Sequence, residues 1–433
     1  MRFGSSGIRG AVGREITPEL ALRLGRAVGT LHRRILVARD TRTSGPMLSQ
    51  ALAAGALSSG ATVADAGVVP TPSLAFGTSG YDAGVMVTAS HNPATDNGFK
   101  VWLPGGRAAD AARRHEIETL LPSPAGSVPW MRVGQLHLDP SCHERHLGAL
   151  VDRVRPARHV KVVVDCANGA AHAFTPELLR RMGCEVVALN AQPDGAFPGR
   201  EPEPLPEHLS DLRKAVVATG AACGVAHDGD ADRAVAVTER GDVVPGDALL
   251  ALLARRSGAR SVVVPVDTSL AVDDALPGAT IHRTRVGDAF VSEEMTRTGS
   301  GFGGEPSGAY IFPEISLCPD GPHAAALVSA IASEGSLAQA VAELPSHPVH
   351  RISIRAPRER IAAALPTLAA ELSTWGTTST VDGVRVETKD GWVLVRESGT
   401  EPKVRITSEA RSDEAARAQL DRAATLVRRI LGA

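Results

Sequence analysis

The sequence predicts an α/β protein of several domains: three related mixed-sheet α/β units and a C-terminal α+β unit around a central cleft. Three observations predict it. The chain has 433 residues, too many for one ordinary core at about 150 residues per domain. A weak internal repeat recurs three times along it. The final segment then departs from that repeat.

Each repeat opens with a β-like apolar run ending in Asp: 34–40 (RILVARD), 161–165 (KVVVD) and 261–267 (SVVVPVD). Such a run reads as a buried strand entering a turn and then a helix. A second strand led by Gly follows: Gly60-Ala-Thr-Val, Gly183-Cys-Glu-Val and Gly278-Ala-Thr-Ile. Each repeat then reaches a loop of small residues, at 89–93, 228–233 and 303–308. Strand–helix–strand units build parallel or mixed sheets, and ligands bind at the loops after their strands. Three such units would present one loop each to a common cleft.

The tail reads differently. After Ser346-His347-Pro348 come an alternating segment, RISIR at 351–355, and an Ala/Leu-rich helix. Two short strands around Asp390-Gly391, a Gly-Thr turn and a closing helix from Asp413 complete a β-α-β-β-α order. Polar or Pro-rich joints near 155–159, 245–248 and 347–350 divide the chain into 1–155, 156–246, 247–347 and 348–433.

Composition narrows the function. Lys+Arg is 46 and Asp+Glu is 48, so the net charge is 46 − 48 = −2. A near-neutral chain without a basic run predicts no nucleic-acid or membrane partner, and 3% aromatics leave little to stack bases on. Five cysteines, none in a C-x-x-C pair, read as reduced thiols. The opening residues lack a signal-peptide core and no window is a membrane span, so a cytoplasmic protein is expected.

Four loops carry chemistry. The first is Thr88-Ala-Ser-His-Asn-Pro93, followed by Asn97-Gly-Phe-Lys100. Ser90 follows an apolar run and stands among turn formers, which displays a hydroxyl at a strand end. A serine can carry a transferred group if a base and a charge stabiliser are near. Lys100 is the candidate proton carrier, because burial or nearby cations can lower a lysine's pKa, while arginine stays charged. An Asn-Pro turn with a surface lysine is the plainer reading.

The second loop is Asp228-Gly-Asp230-Ala-Asp232-Arg233. Three carboxylates at i, i+2 and i+4 suit a hard cation such as Mg²⁺ or Ca²⁺. Glu239 falls at position 12 of an EF-hand, but position 6 would be Arg233 where that turn needs Gly. Ala234-Val-Ala-Val237 also reads as a strand, not an exiting helix, so Mg²⁺ beside a phosphate is favoured over Ca²⁺; a solvated acidic turn is the alternative. The third loop, Gly303-Gly-Glu305-Pro-Ser307-Gly308, offers a carboxylate and a hydroxyl that can grip adjacent sugar hydroxyls. Gly/Pro/Ser loops are also common connectors. In the fourth, Arg396-Glu-Ser398-Gly399-Thr400-Glu-Pro402, hydroxyls, a glycine amide and Arg396, with Arg405 beyond, form a nest suited to phosphate. A hairpin turn with surface arginines is its plainer reading.

In this order and spacing the four loops resemble the α-D-phosphohexomutase family. The phosphoserine loop T-[AG]-S-H-N-P with N-G-x-K corresponds to 88–93 and 97–100, the metal loop D-G-D-x-D-R to 228–233. The sugar loop G-E-x-S-G corresponds to 304–308 and the phosphate loop R-x-S-G-T-E-P to 396–402. The opening Phe3-Gly-Ser-Ser-Gly-Ile-Arg9-Gly10, Pro193-Asp-Gly-Ala-Phe-Pro198 and Thr284-Arg-Val-Gly-Asp288 resemble further family segments, so the likeness spans the chain.

The resemblance implies four domains around a deep cleft and a mechanism. Phosphorylated Ser90 would donate its phosphate to a hexose monophosphate, and the bisphosphate would turn over and return the other phosphate. A Ser90 phosphate oxygen, Asp228, Asp230 and Asp232 would hold Mg²⁺. Lys100 and Arg9 would assist proton transfer and charge stabilisation. Glu305 and Ser307 would hold O3 and O4. Arg396, Ser398, Gly399, Thr400 and Arg405 would grip the distal phosphate, with Arg233 and Arg285 also binding substrate.

Two departures stand out. Ala309 follows Gly308 where the family often has histidine, and Arg285 stands where lysine is frequent. In flavour the loops resemble the glucosamine-phosphate branch, archaeal type, more than the mannose/glucose branch. Glucosamine phosphate is therefore the expected substrate, with mannose or glucose phosphate as the alternative. A non-catalytic sugar-phosphate binder is a different class, which an intact Ser90, Lys100 and three aspartates disfavour. Whether the chain forms a homo-oligomer stays open.

Overall fold

A computed structural model of the chain describes residues 4, 7–122, 126–397 and 402–432. Its strands are β1 (Ile8–Ala11), β2 (Arg34–Arg39), β3 (Thr62–Val68), β4 (Ala83–Val87), β5 (Asp96–Leu103), β6 (Arg107–Ala108) and β7 (Leu136–Leu138). Next come β8 (Lys161–Asp165), β9 (Glu185–Leu189), β10 (Cys223–Ala226) and β11 (Val235–Thr238). They are followed by β12 (Ser261–Pro265), β13 (Thr280–Thr284), β14 (Phe302–Gly304) and β15 (Tyr310–Ile311). The last five are β16 (Val349–Arg355), β17 (Thr377–Ser379), β18 (Val384–Glu387), β19 (Gly391–Glu397) and β20 (Lys403–Ala410).

The repeat seen in the sequence is a repeat of topology. Sheet one contains the order β5-β4-β2-β3, sheet two is β11-β10-β8-β9 and sheet three is β15-β14-β12-β13. In each, the first strand of the repeat pairs parallel with the second and third strands, and the third turns back into an antiparallel partner. The loop of that hairpin is the chemistry-bearing loop every time: 88–95, 227–234 and 305–309. The apolar first strands are buried along most of their length, as expected where helices cover both faces.

Sheet one adds β1 beside β5, which sets Arg9 opposite Gly98. Its two leading helices, Pro18–Leu31 and Gly45–Ser58, cross at glycines. A Cβ on Gly25 would stand 1.9 Å from the Leu52 carbonyl oxygen, and one on Gly55 2.1 Å from that of Leu22. Sheets two and three share one core, in which Val162, Val225, Val262 and Phe302 meet the almost wholly buried helix Gly321–Glu334.

The C-terminal unit departs from the expected β-α-β-β-α order. It is a five-stranded antiparallel sheet, β16-β20-β19-β18-β17, under helices Arg358–Leu372 and Asp413–Leu431. The sequence reading took the strands flanking Asp390-Gly391 but missed β17, whose polar Thr-Thr-Ser carries no alternation, and β20, which alternates with polar residues at 403, 405, 407 and 409 but has its apolar face interrupted by Ser408. Among the described residues no helix is long and apolar enough to cross a membrane, and all five cysteines are buried and free.

Candidate active site

Ser90 and the aspartate loop meet face to face. Ser90 Oγ donates to Asp228 Oδ2 at 2.7 Å and lies 3.2 Å from His91 Nδ1. Ser90 and Ala231, both non-glycine, hold left-handed φ values of 54° and 59°, a conformation that persists where surrounding structure enforces it. Gly229 is required by the contact: a Cβ there would stand 2.6 Å from the Ser90 carbonyl oxygen.

Asp228, Asp230 and Asp232 are all buried and offer oxygens within 4.8 Å of one another. Lys100 Nζ donates to Asp230 Oδ2 at 2.7 Å and, in a tighter contact, to Asp232 Oδ2. Thr71 Oγ1 gives Asp230 Oδ2 a further bond of 2.6 Å. Burial raises the Asp228 carboxyl well above the usual range, and Asp232 and Asp230 add to it. At Asp230 burial pushes the same way, but Lys100, Thr71 and Arg9 together outweigh it and the net shift is down.

Lys100 departs from the expectation of a lowered pKa. Burial does pull the ammonium down, but Asp230 and Asp232 more than reverse it, so the net shift is up. Arg9 joins the group from β1: its charge, with those of Arg233 and Lys100, helps burial hold the His91 imidazole far below its ordinary value. Arg9 Nε is buried without a hydrogen-bond partner.

The second and third loops are stitched together. Arg233 bridges to Ala309, and the Ala234 amide donates to the Gly308 carbonyl at 3.0 Å. Ala309 thus fills a buried bridge position, which is where the family histidine would stand. Glu305 Oε1 accepts the Gly287 amide at 2.6 Å and Oε2 the Ser307 hydroxyl at 3.1 Å. Burial, then the Asp288 charge, pushes its carboxyl up to about 7. Arg233 Nη1 donates to Glu203 Oε1 at 2.8 Å, and Glu203 Oε2 lies 3.4 Å from His91 Nε2.

The remaining expected residues are less converged. Arg285 is exposed, its guanidinium 4.5 Å from the Phe290 ring centroid. Arg396 and Arg405 stand opposite each other on β19 and β20. Two like charges so paired are unfavourable unless an anion joins them. Arg396 donates to Asp382, which also accepts the Val286 amide beside the third loop. Ser398, Gly399 and Thr400 lie outside the described residues.

Sequence reasoning missed Thr71, Glu203, Asp40 and Arg42. Thr71 and Glu203 act 159 and 30 residues from their partners and carry no local signal. Asp40 and Arg42 had one, since the first repeat's strand ends in Asp40.

A strand-end serine facing buried carboxylates, in the first of three repeated α/β units with a fourth α+β unit, defines an enzyme of the phosphohexomutase class. The chain belongs to the phosphoglucomutase/phosphomannomutase family: its alpha/beta/alpha domains I, II and III match residues 1–125, 144–241 and 245–347, and its C-terminal domain matches 352–426. A "probable phosphoglucosamine mutase" of Methanocella arvoryzae is 47% identical over 431 residues, spanning 99% of this chain and 98% of the relative. One from Methanosarcina barkeri is 48% identical over 415 residues, 95% of each. Among solved structures, a phosphoglucomutase/phosphomannomutase family protein from Burkholderia thailandensis aligns with a TM-score of 0.86 at 30% identity, covering 99% of this chain and 96% of that one.

Proposed function

We propose that the enzyme interconverts glucosamine 6-phosphate and glucosamine 1-phosphate through a phosphoserine at Ser90 and a hexose bisphosphate. The observation that carries the mechanism is the Ser90 Oγ–Asp228 contact of 2.7 Å inside a buried carboxylate triad. The names of the full-length relatives support the sugar. In one half-reaction the bond from phosphorus to Ser90 Oγ breaks and one to the free sugar hydroxyl forms. After the bisphosphate turns, the other phosphoryl returns to Ser90 Oγ. The proton shed by the first hydroxyl is regained by the second, so a turnover consumes none.

Asp228, Asp230 and Asp232 fit a divalent cation: three hard oxygen donors converge, and Asp230 Oδ1 is buried with no hydrogen-bond partner. Mg²⁺ held there would offset charge on the transferring group. We assign Lys100, whose ammonium Asp230 and Asp232 keep protonated, to proton donation and charge stabilisation around Ser90, and Arg9 to charge stabilisation; Arg9 Nε, buried and unpartnered, suits a phosphoryl oxygen. Glu305 and Ser307 are assigned to O3 and O4, Arg233 and Arg285 to the substrate's flank. Arg396, Ser398, Gly399, Thr400 and Arg405 are assigned to the distal phosphate. The matched family segments and the four sheets support four domains near 1–155, 156–246, 247–347 and 348–433. Five buried thiols suit a reducing cytoplasm.

Parallel initial rates on glucosamine 1-phosphate, mannose 1-phosphate and glucose 1-phosphate with Mg²⁺ test the sugar. Glucosamine 1-phosphate is expected to lead in kcat/KM. A lead for a neutral hexose phosphate would keep the mutase and overturn the substrate.

Glu305 gives a pH prediction. As a carboxylate it accepts from sugar hydroxyls, and below about 7 it is protonated. KM is expected to rise roughly five-fold between pH 7 and pH 6, with Glu305→Gln removing that dependence. Folding raises this pKa, so stability present below the ordinary carboxyl value is lost as pH rises through about 7. Glu305→Gln should therefore melt above wild type at pH 8. A KM flat across this range would remove Glu305 from the sugar.

A further inference from the structure

Ser90 sits in a left-handed conformation that serine adopts reluctantly, and one buried arginine holds it there. The Arg42 side chain is fully buried and uses all five of its N–H donors. Nε donates to Asp40 Oδ2 at 3.0 Å. Nη1 donates to the carbonyls of Pro93 at 2.6 Å and Asp96 at 2.9 Å. Nη2 donates to those of Ser90 at 2.8 Å and Asn92 at 2.6 Å. Asp40 completes the circuit: its Oδ2 accepts the Thr88 hydroxyl at 2.6 Å, and Thr88 Oγ1 accepts the Ser90 amide at 2.8 Å. Both backbone polar groups of Ser90 are thereby tied to one ion pair. The Phe197 ring lies 5.0 Å from the guanidinium carbon on the side of the metal loop.

The second repeat carries the same device. Asp165 closes the strand equivalent to the one that precedes Asp40, and its Oδ2 holds Arg200 Nε at 2.8 Å. Arg200 Nη2 donates to the carbonyl of His227, the residue before Asp228, at 2.6 Å. The two arginines come from unrelated places in their repeats, yet each reaches the loop that carries chemistry, Arg42 at four carbonyls and Arg200 at one. A planar fork can serve several carbonyls at once, which an ammonium cannot.

We propose that Arg42 is a positioning residue for phosphoryl transfer, holding the Ser90 backbone so that Oγ meets the Asp228 carboxylate without itself touching the substrate. The proposal rests on Ser90 as the phosphoryl carrier. A shift of the nucleophile by about 1 Å is enough to lower a rate about 100-fold. All five Arg42 donors go to Asp40 and to carbonyls between Ser90 and Asp96, so substrate binding should be spared.

The test uses full-length Arg42→Lys with Mg²⁺. Transfer of phosphoryl from glucose 1,6-bisphosphate to Ser90 is followed by intact mass, alongside steady-state kinetics. Both the transfer rate and kcat are expected to fall about 100-fold, with KM within about two-fold. Free guanidinium should restore part of the rate to Arg42→Ala. If Arg42→Lys does not fold, Thr88→Val removes the link between Asp40 and the Ser90 amide and is expected to slow transfer about 10-fold. Wild-type rates in the variants, or losses matching the unfolded fraction alone, would overturn the proposal. If wild type itself takes no phosphoryl, the failure is that of Ser90 as carrier.

Discussion

Ser90→Ala is expected to abolish mutase turnover, with a loss of about 10⁴-fold or more, while sugar-phosphate affinity stays within a few-fold. Removing a nucleophile that forms a covalent intermediate leaves only the catalysis that binding and electrostatics can supply. Ser90 is 1% exposed and its hydroxyl meets Asp228 and His91 inside the protein, so its loss removes two hydrogen bonds and little surface. Intact mass after incubation with glucose 1,6-bisphosphate gives the direct check: wild type should gain one phosphoryl and the variant none. A variant that still turns over, or gains the group elsewhere, would remove Ser90 from the mechanism.

Asp230→Asn should have the next largest effect, lowering turnover about 1000-fold and Mg²⁺ affinity about 100-fold. Asp230 is fully buried, and of its two oxygens one serves Lys100 and Thr71 while the other has no partner. The amide keeps the shape but removes the charge that a cation needs. It also deprives Lys100 of a counter-ion, which should lower that ammonium's raised pKa, because Asp230 is the first of the charges that raise it. Calorimetric titration with Mn²⁺ separates metal binding from catalysis. Wild-type Mn²⁺ affinity in Asp230→Asn would mean that the triad is an ion-pair network around Lys100 and not a cation site.

Much of the site was legible because its chemistry is local. The three aspartates recur within five residues, and Ser90 follows an apolar strand into an Asn-Pro turn; hydrogen bonding inside a turn fixes such spacing in the sequence. The three-fold repeat was legible for a similar reason. A short apolar strand ending in Asp is a compact pattern, and each copy leads to the same hairpin. The C-terminal sheet was read less well, since β17 gains its order from its neighbour and not from an alternation of its own, and Ser408 interrupts the apolar face of β20.

The sequence by itself therefore determined the α/β class, the family and the loops that bear the chemistry, because each is written in contiguous residues. The tertiary structure alone decided how those loops act on one another. It set Asp228 against Ser90 across 138 positions, and Lys100 against Asp230 across 130. It brought the Arg42 fork to four carbonyls between Ser90 and Asp96. It also reversed the expected shift at Lys100 and raised Glu305 to about 7. Desolvation and through-space charge depend on which groups packing leaves buried together, and no local spacing encodes that.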